Sequence, residues 1–109
     1  MDAIITGHIG PNAAETLAAA GIDITLLANN HVLDWGYRGL AETLLTLKQA
    51  GINTVGSGED SRAASRPAVI DLAHKGRVIV SAWAHSSSGV PRDWAAAQNR
   101  PGVNRLDRL

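Results

Sequence analysis

The sequence predicts an α/β fold with a mainly parallel sheet, and three observations lead to it. A continuous apolar run, Ile22 to Ala28, is too uniformly apolar for a half-exposed strand and suits a parallel sheet covered on both faces. Beyond it Leu40, Leu44 and Leu47 recur at helical spacing, with Arg38, Glu42 and Lys48 on the outer side. Finally, Ala20-Gly21-Ile22-Asp23 recurs as Ala50-Gly51-Ile52-Asn53: a glycine helix stop and an immediate return into a strand. Strand, helix and strand joined by tight turns imply a right-handed crossover between parallel neighbours.

Taken in order, Ala3 to Thr6 reads as a short strand and Gly7-His8-Ile9-Gly10-Pro11 as a loop. Asn12, with Glu15 three residues on, suits the N-cap of a helix over 12–20 that Gly21 stops. The run 22–28 is the buried strand, and the leucine pattern predicts a helix over 38–50. Gly56-Ser57-Gly58 ends the next short strand, and Asp60 to Ser65 suits a short helix before Pro67. Ala68 to Leu72 and Arg77 to Ala84 flank Ala73-His74-Lys75-Gly76, an antiparallel hairpin expected to join the sheet. From His85 onward no period is sustained, so 85–109 is expected to be mostly loop with one helical turn near 93–98. A structureless tail of that length is rare in a complete domain. It predicts a chain that stops before its fold does.

Between the buried strand and the leucine helix lies Asn29-Asn30-His31-Val32-Leu33-Asp34, the densest polar cluster of the chain. Groups at the carboxyl end of a buried strand sit where α/β proteins place their sites. An amide oxygen can ligate a divalent metal, and an imidazole can move a proton or ligate the metal itself. Equally, Asn29 and Asn30 suit a turn, because asparagine bonds its own backbone and tolerates left-handed φ. Asp34 could orient His31, or serve as a turn or N-cap residue ahead of the helix. Of the other histidines, His8 suits a surface loop, His74 a solvated hairpin turn, and His85 a strand end that could face the same edge. No phosphate-binding loop, dinucleotide fingerprint, zinc-finger spacing or nucleophile elbow is present.

Composition sets the outer bounds. With 109 residues and 45% hydrophobic content, the chain makes one domain at most. Phe is absent and the only aromatics are Trp35, Tyr37, Trp83 and Trp94, so the core must be aliphatic. Ten basic and ten acidic residues balance, leaving no field to attract nucleic acid or an anionic membrane. Without Cys, thiolate metal sites and disulfides are excluded. No apolar run approaches the roughly 20 residues that span a bilayer, and no signal-peptide pattern opens the chain.

Ala19-Ala20-Gly21-Ile22-Asp23, Leu27-Ala28-Asn29-Asn30-His31-Val32-Leu33-Asp34-Trp35-Gly36, Gly39-Leu40 and Glu42-Thr43-Leu44 together resemble the CapA-type poly-γ-glutamate (capsule) synthesis proteins. So do Ala50-Gly51-Ile52, Gly56-Ser57-Gly58, the strand entry at Pro67, Ser87-Ser88-Gly89-Val90-Pro91 and Arg100-Pro101-Gly102-Val103-Asn104, in the same order. Those bacterial proteins look like distant relatives of the calcineurin-like metallophosphoesterases. The resemblance covers nearly the whole chain, and its most specific piece is the Leu-Ala-Asn-Asn-His-x-x-Asp-x-Gly run.

It implies a layered α/β sandwich of the metallophosphoesterase type, here incomplete, with a metal site at the strand ends. By the same similarity Asn30 corresponds to the amide ligand of a divalent metal (Mn, Zn or Fe), and His31 to the catalytic imidazole. Asp34 would orient the loop, and Asn29 stands where the phosphoesterase motif has glycine. The implied activity is metal-dependent, phosphoesterase-like hydrolysis on a small-molecule or polymer substrate, in capsule or poly-γ-glutamate synthesis at the bacterial cell envelope or in the cytoplasm. A non-catalytic accessory part of a polymer synthesis or export assembly is the alternative.

Family members are considerably longer, and their early Gly-Asp and Asn-Leu-Glu segments and late histidine motifs have no counterpart here. The chain is therefore expected to be an internal fragment with little activity of its own, since catalytic metal sites use three or more protein ligands.

Overall fold

The computed structural model describes residues 10–107. The strand expected at 3–6 and His8 lie outside the described residues. In chain order the elements are α1 (Pro11–Ala19), β1 (Ile24–Leu26), α2 (Gly36–Gln49), β2 (Asn53–Val55), β3 (Ser57–Gly58), α3 (Ser61–Ser65), β4 (Ala68–Leu72), β5 (Gly76–Val80) and β6 (Gly102–Val103). Two 3-10 turns, Ser86–Ser88 and Arg92–Trp94, precede β6. Mixed helix and short strand of this kind is an α/β fold.

The repeated junction forms at both places. Gly21 and Gly51 take φ of +78° and +76°, and the Ile22 and Ile52 amides reach back to Leu17 and Leu47 carbonyls at 3.1 and 2.9 Å. Each glycine thus ends its helix and turns the chain into the next strand. As expected, β1 and β2 pair in parallel, with Ile24 opposite Asn53 and Leu26 opposite Val55.

The start of α1 differs from the expectation. Gly10 is the N-cap and Pro11 the first helical residue, because proline's missing amide is harmless there and its φ suits a helix. Asn12 lies inside the helix, where its carbonyl accepts from the Thr16 hydroxyl at 3.0 Å.

The sheet also differs. Only β1–β2 is parallel among the described residues; β3–β6 and β4–β5 are separate antiparallel pairs, and the hairpin does not hydrogen-bond into the parallel pair. Nor, among the described residues, is β1 covered on both faces. Thr25 and Leu27 point inward and are fully buried, whereas Leu26 between them is 47% exposed. Pleating turns alternate side chains to opposite faces, and the helices cover only one.

The 85–107 segment is docked rather than loose. Its helical turn sits at Arg92–Trp94, slightly earlier than expected, and β6 pairs antiparallel with β3. Val90 and Val103 enter the main core beside Ala14, Leu27, Val32, Leu40, Leu47 and Ile52. A smaller cluster joins Val55, Ala68 and Ala82 under the hairpin. Both cores are aliphatic. No helix among the described residues is long and apolar enough to cross a membrane.

Candidate functional site

The loop after β1 is pinned from below. Leu27 donates its amide to the Val55 carbonyl at 2.8 Å and accepts from the buried Ser57 hydroxyl at 2.7 Å, which fixes the strand end where the polar run begins. Val32 and Leu33 then insert into the core. His31 and Asp34 bracket that anchor and emerge together.

Their side chains meet: His31 Nδ1 lies 2.8 Å from Asp34 Oδ2, with the imidazole 51% and the carboxylate 41% exposed. An ionised carboxylate can only accept, so Nδ1 is the donor in this pair and Nε2 takes no part in it. Asp34 is therefore not the helix cap; Trp35 occupies that position and makes no side-chain capping bond. Asn29 has turned its amide to the backbone, accepting from the His31 N–H at 2.9 Å, an Asx turn that sets the direction of His31.

Asn30 is exposed and borders a segment distant in sequence. Gly89 takes φ of +81° at the end of the 3-10 turn, and a Cβ there would come within 3.1 Å of Asn30 Nδ2. The left-handed backbone favours glycine there, and the approach of Asn30 leaves little room for a side chain. Ahead of it His85 caps the turn, its Nδ1 accepting from the Ser87 amide at 3.3 Å and lying 3.1 Å from the Ser87 hydroxyl. The 85–89 segment does border the site loop, but the contact is made by Gly89 while the His85 ring serves its own turn. His74 is exposed in the hairpin turn, with φ of +65°.

Two residues that secure the site carry no assigned role in the sequence. Ser57, between two glycines, reads as turn chemistry, yet it is buried and holds Leu27. Gly89 follows three serines in a stretch without a sustained period, yet it lies against Asn30.

An amide oxygen on Asn30 and the second imidazole nitrogen of His31 suit a divalent cation in kind. They fall short in number, since no group of three or more His, Asp or Glu side chains comes together among the described residues.

These features define a class: α/β proteins that carry a polar site at the carboxyl end of a parallel strand. Residues 2–108 match the bacterial capsule synthesis protein family PGA_cap, and the chain belongs to that family. It is 48% identical over 93 residues to a probable polyglutamine synthesis accessory protein of Mycobacterium tuberculosis, a match covering 85% of this chain and 24% of that protein. An uncharacterized protein of Sinorhizobium fredii is 41% identical over 102 residues, 91% of this chain and 21% of its own length. A shorter match, 42% over 41 residues, links the chain to the capsule biosynthesis protein CapA of Bacillus anthracis, covering 38% of this chain and 10% of that protein. The chain thus spans about a quarter, or less, of the length of the curated relatives it matches.

Proposed function

We propose that residues 29–34 form the proton-transfer part of a metal-dependent, phosphoesterase-like hydrolase site in a protein of poly-γ-glutamate or capsule synthesis. The observation that carries this reading is the Asp34-held imidazole, half exposed after a strand end. An imidazole fixed at one nitrogen can give or take a proton at the other without reorienting. Asn30 would supply the amide oxygen to a divalent ion (Mn, Zn or Fe), with further ligands from elsewhere in the whole protein. That ion would act as Lewis acid on the scissile group. Asn29 and Asp34 are positioning residues, acting on the backbone and on the ring of His31. The layered sandwich of the metallophosphoesterases belongs to the same proposal.

A second reading has its own support, since the Mycobacterium tuberculosis relative is described as an accessory protein. On that reading the fold serves a synthesis or export assembly without a reaction.

Turnover and metal content of the full-length protein separate the two. His31→Asn is expected to lower hydrolysis by roughly 10²–10⁴ while leaving metal content unchanged. Asn30→Ala is expected to lower both. Wild-type turnover in the His31 variant would defeat the proton-transfer assignment. A wild-type protein that binds no metal and hydrolyses neither phosphoesters nor polymer would favour the accessory reading.

A further inference from the structure

Away from the 29–34 loop, a cleft of about 520 Å³ opens between α3, the 82–84 segment and the 104–107 segment. Its walls are fixed by hydrogen bonds to backbone carbonyls. The Ala84 amide donates to the Asn104 carbonyl at 3.0 Å, the Leu106 amide to the Ala84 carbonyl at 2.7 Å, and Asn104 Nδ2 to the Ala82 carbonyl at 2.9 Å. On the opposite side the Ser61 amide ties α3 to the Ala97 carbonyl at 2.9 Å. The cleft is built before any ligand arrives.

Its lining combines an aromatic face with unequal charges. Ala82 and Ala84 are buried in the core, whereas Trp83 between them lines the cleft and is 54% exposed. Arg105 is held with its side chain only 7% exposed, its Nε donating to the Val90 carbonyl at 3.2 Å and its Nη1 to the Asp107 carboxylate. Arg62, on α3, also lines the cleft and makes no ion pair among the described residues. Among the described residues that line the cleft, two guanidinium groups stand against one carboxylate.

We infer that this cleft is a second ligand site, taking one carboxylate group carried on a flat amide or ring skeleton. The carboxylate meets the Arg62 guanidinium, whose planar fork matches two carboxylate oxygens. The flat skeleton lies on the Trp83 indole, a large apolar face already open to it. One negative charge balances the site; a dianionic phosphate would leave an excess beside Asp107. No residue of the 29–34 loop lines the cleft, so the inference does not rest on the hydrolase proposal.

Calorimetric titration of the full-length protein with N-acetylglutamine tests it, since this probe has one carboxylate and two planar amides. The controls are its uncharged carboxamide and inorganic phosphate. Binding is expected to weaken at least roughly tenfold with the uncharged control and in Arg62→Ala, as for loss of a charge-assisted contact. Trp83→Ala is expected to weaken it comparably, and Trp83→Phe to restore it, because a flat ring remains. Raising ionic strength from about 0.1 to about 1 M shortens the Debye length from ~10 to ~3 Å and is expected to weaken binding further. His31→Asn is expected to leave it unchanged. Equal binding of the uncharged compound or of phosphate would overturn the inference. So would wild-type affinity in the Arg62 and Trp83 variants, or loss of binding in the His31 variant.

Discussion

His31 and Asp34 meet because Val32 and Leu33 between them are buried, so the turn that sinks two apolar side chains raises two polar ones on the same side. The loop therefore depends on how firmly the strand end beneath it is held. Ser57 is the clearest measure, since its buried hydroxyl is bonded to the Leu27 carbonyl at 2.7 Å. Ser57→Ala removes that donor and is expected to cost about 1–3 kcal/mol, the usual penalty for a buried polar group that loses its partner. Urea unfolding checks it, and a cost below about 0.5 kcal/mol, typical of a surface substitution, would show that the bond does not matter. The polar run itself was legible in the sequence as a cluster at a strand end. What each side chain does there was not, because Asx turns, tautomers and contacts with Gly89 depend on segments far apart in the chain.

Among the elements, α2 was the most legible, because its leucine spacing and its glycine stop are local signals. Leu40 and Leu47 are fully buried, Leu44 is half-buried and Leu45 is exposed, which is how a one-sided helix should sort them. Leu47→Ala is expected to cost about 2–5 kcal/mol, and Leu45→Ala to stay within about 0.5 kcal/mol of wild type. Equal costs in thermal or denaturant unfolding would mean that the helix does not use this face. The strands were less legible. Their apolar runs are longer than the ladders they form, and an apolar residue such as Leu26 counts the same in a sequence whether or not anything covers it. The start of α1 shows a similar competition, in which proline's preference for the first helical position prevailed over asparagine's as a cap.

At the scale of the whole molecule, the 85–107 segment and the hairpin reverse what their sequences suggest. The aperiodic segment is held by Val90, Val103 and Asn104, through single bridges and a two-residue strand that leave no periodic trace. The hairpin, whose apolar runs suggest burial, is the more loosely attached. Among the described residues β4 and β5 pair only with each other. Ile79 is 67% exposed, Val69 opposite it is exposed, and the Asp71–Arg77 pair at 2.7 Å lies in solvent, where such pairs contribute little. Its main anchors are Ala68 and half-buried Val80, against Val55 and Ala82.

A two-stranded hairpin is marginal by itself, and regions with few buried contacts open at free energies below that of global unfolding. Hydrogen exchange on the 109-residue chain is therefore expected to show the amides of Ile70 and Val78 exchanging by local opening, well before those of Leu40 and Leu47. Adding a low concentration of denaturant is expected to speed exchange in α2 while hardly changing it in the hairpin, because local opening exposes little new surface. Protection at Ile70 and Val78 equal to that at Leu47, with the same denaturant dependence, would show that the hairpin and the core unfold as one unit. The division into a firm α2–β1–β2 core and a separately opening hairpin would then be wrong.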